Sequence, residues 1–438
     1  MGIETITLLV VGVMIALMIA GVPLAWITMI LAVGCTLAWL GPAGLPLVAS
    51  RVYGFVNEYV FVAVPLFVLM ACILERSGVA KDLYDAMRLF AGRLPGGVAV
   101  QTTLVAMVMA AMTGIIGGEI VLLGLIALPQ MLRLGYDRNL AIGIICAGGS
   151  LGTMIPPSVV LIVYGLTAGV SIGDLFLAAF VPGLLLGSIY ILYVVVRCKL
   201  DPSLAPPAPD HEFSMPLGQK LRLLKGLILP IMIIVWVLGS IYGGIASITE
   251  SAGVGVVGAI ASAALRGELS LTLLREAAVR TMVTVGVLLW LTLGANAFIG
   301  IYNIMGGTGY LRSTIAGLPL PPIGIVLVMM GILLVLGCII DWIGITLLTM
   351  PIFVPVIKDL GYDPVWFGIL FCMNMQVSYL SPPFGPAAFY LKSVAPPDVT
   401  LQQIFRGVLP FIALQLVGLG LVLTFPQIAM FLPTLAGG

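Results

Sequence analysis

Charged side chains are scarce in this sequence. Asp, Glu, Lys and Arg make up 8% of its 438 residues, where a soluble globular chain carries roughly 25%. So few charges cannot clothe a water-exposed surface of this size. The formal net charge of +1 offers no clustered Lys and Arg for a nucleic-acid footprint, which excludes that class of partner. There is one histidine, His211, and neither H-E-x-x-H nor G-x-x-x-x-G-K-[ST] occurs, so no zincin-type protease and no P-loop nucleotide engine is encoded. An intramembrane enzyme would need a base that a lone histidine in a polar loop does not supply; there it reads as a solvated side chain rather than a proton relay. The six cysteines, Cys35, Cys72, Cys146, Cys198, Cys338 and Cys372, lack C-x-x-C spacing and mostly sit in apolar runs, so neither a disulfide framework nor a zinc site is indicated. The start, MGIETITLLV, lacks a basic n-region and a small-residue cleavage site. Ile6 onward is therefore expected to be a permanent first span, not a cleaved signal.

What fills the sequence is apolar surface. Hydrophobic residues reach 61%, and uncharged runs such as Ile6 to Gly41, Val98 to Gly118 and Gly407 to Leu435 exceed the roughly 20 residues a helix needs to cross a bilayer core of about 30 Å. The length accommodates roughly eleven spans plus partial ones. The expected fold class is an all-α polytopic membrane protein. Its one long polar, proline-rich stretch, Lys199 to Lys220 with Pro202, Pro206, Pro207, Pro209 and Pro216, reads as a linker.

The two sides of that linker repeat one another. LGYD occurs at Leu134 to Asp137 and at Leu360 to Asp363, an offset of 363 − 137 = 226. The same offset pairs Pro129 with Pro355, Cys146 with Cys372, Pro156 and Pro157 with Pro382 and Pro383, and Tyr164 with Tyr390. Chance matching in an apolar chain pairs Leu with Leu; it does not readily pair Asp, Cys, Tyr and a double proline at one spacing. The expected division is residues 1–198 as the first repeat, 199–224 as a cytoplasmic linker and 225–438 as the second repeat. Lys and Arg concentrate in cytoplasmic loops. Counting crossings outward from the linker puts all of the 19 cations inside except Arg51, Arg312 and Lys358. This holds if a hairpin at about 98–133 enters and leaves on the inner face and one at about 321–357 does so on the outer face. The repeats then have opposite topology, each with a re-entrant helical hairpin followed by a broken helix, at about 138–168 and about 364–393.

The breaks carry the chemistry. Each helix-interior proline costs about 3 kcal/mol or more, so Pro156 with Pro157 and Pro382 with Pro383 open their helices. Non-helical backbone at that depth belongs against protein or a wet cavity, and inverted repeats place their binding site at such interruptions. Freed carbonyls and the oxygens of Ser, Thr, Asn and Gln suit a sodium ion, while half-helix amino ends favour an anionic substrate group. Substrate contacts are expected at Pro156, Pro157 and Ser158 in the first break and at Asn374, Pro382, Pro383 and Gly385 around the second. Two structural kinks lined by satisfied polar groups would read the same way. The hairpin tips each hold a carboxylate, Glu119 and Asp341, and a carboxylate at mid-bilayer costs about 2.5–3.5 kcal/mol on insertion scales. Asp341 is the stronger candidate for an ion-linked carboxylate; Glu119 serves in the same way or pairs with a cation at a subunit contact. Asp137, Asp174 and Asp363 lie beside loops and read as caps or turn residues.

At these residues the chain resembles the large membrane subunit of tripartite ATP-independent periplasmic (TRAP) transporters. The resemblance rests on GSLGTMIPPSVVLIVYG from Gly149 to Gly165, YLSPPFG from Tyr379 to Gly385, LGYDPVWFGI from Leu360 to Ile369, VAVPLFVLMACILERSG from Val62 to Gly78 and ITESAGVGVVGA from Ile248 to Ala259, and covers nearly the whole chain. It implies a sodium-coupled elevator of the ion-transporter-superfamily fold in a bacterial or archaeal cytoplasmic membrane, importing an organic acid. The implied partners are a small four-helix membrane subunit, as a separate chain, and a periplasmic substrate-binding protein. The implied Na+ sites are Thr113, Gly149, Ser150 and Thr153, and Asp341, Gln376, Ser378 and Ser381. The first tip departs from the usual pattern: Thr113-Gly114-Ile115-Ile116 replaces small residues around Ser-Gly-Ser-Ser, which leaves more of the coordination to carbonyls. The other transporter reading is a free-standing sodium- or proton-coupled dicarboxylate-type symporter that needs no binding protein.

Overall fold

The computed structural model describes residues 2–91, 94–114, 117–206, 218 and 223–436. Among these, the regular structure is helical throughout. In chain order the helices are α1 (Ile3–Ile19), α2 (Leu24–Trp39), α3 (Leu45–Val56), α4 (Ala63–Arg76), α5 (Val79–Ala91), α6 (Gly97–Thr113), α7 (Gly118–Arg133), α8 (Arg138–Ser150), α9 (Val159–Ala168) and α10 (Ile172–Leu200). After the linker come α11 (Ile228–Tyr242), α12 (Ile248–Leu265), α13 (Leu271–Ile304), α14 (Gly307–Ala316), α15 (Pro322–Gly337), α16 (Trp342–Asp359), α17 (Pro364–Leu380), α18 (Pro386–Lys392), α19 (Leu401–Thr424) and α20 (Gln427–Ala436).

The repeat extends to whole elements. Adding 226 to the bounds of α6, α7, α8 and α9 gives 323–339, 344–359, 364–376 and 385–394, which fall on α15, α16, α17 and α18. In the same way α1 and α2 fall on α11 and α12, and α10 on α19. The pair α3 and α4 falls on α13, a single helix of 34 residues.

The recurring LGYD is a stop-and-restart signal. Gly135 and Gly361 sit at φ +78° and +81°, a left-handed conformation that glycine takes without steric cost. The next amides reach back over the turn, Tyr136 N to Met131 O and Tyr362 N to Ile357 O, each 3.0 Å, closing the helix by a Schellman motif. Asp137 and Asp363 then cap the following helices, accepting from Leu140 N at 2.9 Å and Val365 N at 2.7 Å. Asp174 differs from its expected role: Ser171 caps α10, accepting from Asp174 N at 3.2 Å, and Asp174 lies in the first turn, where an anion favours the helix dipole.

Ion pairs fix which loops share an end of the molecule. Arg76 pairs with Glu276 at 3.3 Å, Arg280 with Glu75 at 3.2 Å, and Arg266 with Asp82, so residues 75–82 and 266–280 meet. Arg312 grips Asp359 through two bonds of 2.6 and 2.5 Å, beside Lys358. Helix α13 runs from the first set of charges toward the second, and 34 residues extend about 51 Å at 1.5 Å each. The two sets therefore lie at opposite ends, as the charge count requires, and the hairpins α6–α7 and α15–α16 enter from opposite sides.

Helices α1–α4 pack with α11–α13 into a frame, and α6–α10 pack with α15–α20 into a hairpin bundle. Within the bundle the repeats cross over: α19 lies on α8, α16 on α9, and α18 on both α7 and α8. Helices α5 and α14 lead from frame to bundle at opposite ends.

Among the described residues, seven helical stretches are long and apolar enough, by length and composition, to cross a membrane, among them Ile172–Leu200, Leu271–Ile304 and Leu401–Thr424. Shorter apolar helices, Ile3–Ile19 and Leu24–Trp39 among them, stand beside these, as an expectation of roughly eleven spans plus partial ones allows. Helix α10 also continues to Leu200, past the expected boundary at 198. Most of the expected 199–224 linker, with His211, lies outside the described residues.

In a variant free of native cysteines, single cysteines at Arg138 and at Arg312 should react with a membrane-impermeant maleimide from opposite faces of sealed vesicles. Labelling of both from one face would contradict the inverted arrangement.

Candidate functional site

Each break lies beside the tip of the hairpin before it. In the first repeat, α8 ends at Ser150, a 3-10 turn covers Leu151–Thr153, and α9 starts at Val159. The peptide Pro156–Pro157 is cis, as is Pro382–Pro383. Val159, the first residue of α9, donates its amide to Gly114 O at 3.1 Å, so an amide at the end of the break is satisfied by the hairpin tip. Gly114 is at φ +60°, and a Cβ there would lie 2.1 Å from Pro157 O; only glycine lets the two backbones approach this closely.

The first cradle is sealed. Thr113, Glu119, Ser150, Thr153 and Ser158 are all buried, and Glu119 is 0% exposed. The Thr113 hydroxyl lies within hydrogen-bond reach of Glu119 Oε1 and of Met109 O, the latter at 3.1 Å. Among the described residues, Glu119 Oε2 has no hydrogen-bond partner. A Cβ on Gly152 would be 2.9 Å from Glu119 Oε1, so the carboxylate rests on the break itself. Thr113, Glu119 and the Gly152 backbone are thus brought together. Ser150 and Thr153 spend their hydroxyls on the turn, donating to Ala147 O at 2.7 Å and Ser150 O at 3.0 Å, and Ser158 donates to Thr153 O at 2.6 Å. Gly149 packs on Ile120. Glu119 is enclosed by its own chain.

Gly148 to Gly152 also fits the spacing G-x-S-x-G. Ser150 ends a helix and accepts from Gln415 Nε2 at 3.2 Å, unlike a nucleophile on a strand-to-helix elbow.

The second cradle is open. Asp341 caps α16, accepting from Ile343 N at 3.3 Å. It shares a cavity of about 10 Å³ with Gly337, Ser378, Tyr379, Phe384 and Pro386, room for one water-sized particle. The end of α15 lies directly on α17, since a Cβ on Gly337 would be 2.1 Å from Ser378 Oγ. Asp341 and Ser378 are therefore brought together, whereas Gln376 and Ser381 do not line this cavity. Gln376 is 0% exposed with both amide atoms unpartnered. Asn374 donates to Met330 O at 2.7 Å while its Oδ1 is unpartnered. Ser381 donates to Val377 O at 2.7 Å. Pro382, Pro383 and Phe384 are exposed, whereas Pro156 and Pro157 are buried. Gly385, at φ +30°, returns the chain to α18 by donating to Ser381 O at 2.9 Å.

Two residues escaped the reading of the sequence. Glu75 on α4 lies against Gly118 at the first hairpin tip, and Gln415 on α19 reaches Ser150. Gln415 is a polar side chain inside an apolar run, the signal that marks functional or packing sites in a membrane helix, whereas Glu75 stands at the charged end of α4 beside Arg76.

The profile described as tripartite ATP-independent periplasmic transporter, DctM component, matches residues 11–428. The C4-dicarboxylate TRAP transporter large permease protein DctM of Pseudomonas aeruginosa is 30% identical over 405 residues, 92% of each chain. The sialic acid TRAP transporter large permease protein SiaM of Vibrio cholerae is 26% identical, over 96% of this chain and 97% of that one. The isethionate TRAP transporter permease protein DctMQ of Oleidesulfovibrio alaskensis is 29% identical over 94% of this chain, which spans 64% of it. Among solved structures, the YdaH transporter of Alcanivorax borkumensis superposes with a TM-score of 0.63 at 17% identity, covering 91% of both chains; this is a likeness of fold.

Gly114→Ala should lower the unfolding temperature in detergent, by the equivalent of about 1–3 kcal/mol for overpacking a tight contact. Gly12→Ala, in α1 with open space around it, should be neutral or mildly stabilising. Equal stability of both variants would show that the hairpin tip is not held against the break as described.

Proposed function

This chain belongs to the DctM-component family of tripartite ATP-independent periplasmic transporters, and from that premise we propose that it imports an organic acid by sodium-coupled, elevator-type alternating access. The multi-pass permease is the large membrane subunit; its cargo reaches it from a periplasmic binding protein, and a separate small membrane subunit completes it. The longer relative named DctMQ, of which this chain spans 64%, supports a small subunit as partner. Names of relatives that specify C4-dicarboxylates, sialic acid and isethionate support an acid as cargo. The linker is cytoplasmic, as its flanking cations Arg197, Lys199 and Lys225 suggest.

The observation that carries this reading is the pair of breaks, each beside a hairpin tip that carries a carboxylate. Both cradles fit a small monovalent cation: Glu119 Oε2 is a buried acceptor without a donor, and Asp341 borders a space of one-particle size. Oxygen ligands are the hard donors such an ion takes. Thr113, Glu119 and the break backbone would hold one ion, and Asp341 with Ser378 the other. Substrate contacts would lie at the exposed Pro382–Pro383 turn and at the amino end of α9, which Gly114 closes by accepting from Val159 N. The separate frame and hairpin bundle, joined through α5 and α14, provide a stationary and a moving part.

The energetics are adequate. A tenfold gradient contributes about 1.4 kcal/mol and a charge crossing 100 mV about 2.3 kcal/mol, so two sodium ions supply roughly 7 kcal/mol. That concentrates a monovalent acid with no nucleotide consumed.

Asp341→Asn should raise the sodium concentration needed for half-maximal uptake in proteoliposomes reconstituted with the small subunit and binding protein. Unchanged sodium stimulation would reject Asp341 as an ion ligand.

A further inference from the structure

The two hairpins solve the same electrostatic problem in different registers. Asp341 lies 226 residues beyond Ile115, and Glu119 lies 226 before Ile345, so neither acid has an acidic counterpart at the repeat offset. Yet each hairpin carries one carboxylate at the start of its second arm: Asp341 is the cap of α16 and Glu119 is the second residue of α7. In the first repeat the acid has moved four residues along the helix, about 6 Å, and gained a methylene.

Glu119 has no other evident means of carrying its charge. It is fully buried, and no ion pair among the described residues includes it. The neighbouring acid, Glu75, lies against Gly118 and is itself paired with Arg280 at 3.2 Å. Thr113 serves Oε1 alone, leaving Oε2 without a donor. The amino end of α7 favours an anion, but supplies no hydrogen bond to that oxygen. A buried carboxylate with an orphaned oxygen calls for a cation. The first tip also lacks the small hydroxyl residues that the family resemblance leads one to expect there, having Thr113-Gly114-Ile115-Ile116 instead.

We infer that Glu119 is the charged ligand of the first cation site, the functional counterpart of Asp341 supplied from a position one helical turn away. The inference rests on the sodium-coupled reading and deepens it. The ion it takes is monovalent, because one carboxylate assisted by a hydroxyl and backbone oxygens lacks the several carboxylates that a calcium site assembles. With an acid at each tip, both cations cross the membrane charge-neutralised, so the fixed charge of the bundle is felt on the return of the empty carrier.

The test is hydrogen exchange on the purified full-length permease with its small subunit, titrated with sodium chloride against choline chloride at constant ionic strength. In the wild type, peptides covering the first hairpin tip and those covering the second should each gain protection. Glu119→Gln should raise the sodium concentration for half-protection of the first tip about tenfold or more and leave the second tip's response in place. Asp341→Asn should do the reverse, and Glu119→Asp, which keeps the charge on a shorter arm, should fall between. Wild-type half-protection of the first tip in both Glu119 variants would overturn the assignment while leaving sodium coupling intact. No sodium response at either tip of the wild type would overturn the coupling reading and the assignment with it.

Discussion

A backbone amide or carbonyl freed inside a membrane has to find a partner, and this constraint organises the molecule. Two double prolines open two helices at corresponding points, and the bilayer offers no water to satisfy what they release. The protein answers with hairpins that reach in from opposite faces. In the first, Gly114 O takes the amide of Val159; in the second, Gly337 brings the end of α15 onto Ser378. The polar interior is a by-product of that closure. Once a hairpin tip rests on a break, hydroxyl, carboxylate and backbone oxygens converge at mid-depth.

The two cradles are not equivalent. Pro156 and Pro157 are buried under their hairpin, whereas Pro382, Pro383 and Phe384 are exposed. The first break is therefore sealed and the second accessible. The ion pairs joining α4 and α5 to α12 and α13 reach the sealed hairpin at its tip, where Glu75 lies against Gly118.

Much of this was legible in the sequence because the decisive residues act locally. Proline breaks a helix wherever it falls in one, and Leu-Gly-Tyr-Asp ends one helix and caps the next without help from distant packing. The 226-residue offset carried those local rules across the chain, and the distribution of cations set the direction of each half. Side-chain destinations were less legible. Ser150 and Thr153 have the composition of ion ligands, but their hydroxyls bond to the turn that carries them, an outcome that depends on local helical geometry. Gln376 sits between Met375 and Ser378 in sequence, yet those two line the cavity of Asp341 and Gln376 does not, because helical phase turns it away. Glu119 sat in plain view, but its burial and its unpartnered oxygen depend on the fold around it and could not be read from its neighbours in sequence.

The repeats diverge most where α3 and α4 correspond to the single helix α13. From Thr281, just past its last arginine, to Ile304, this helix offers 24 uncharged residues, about 36 Å of apolar rod against a hydrocarbon core of about 30 Å. Such excess length is accommodated by tilting or by local thickening of the bilayer, and here the rod is tethered at one end by Arg280 and Glu276 to α4. The inclination of α13, and with it the lean of the whole frame, is thereby tied to lipid thickness, which makes acyl-chain length a physical variable in how the frame sits in the bilayer.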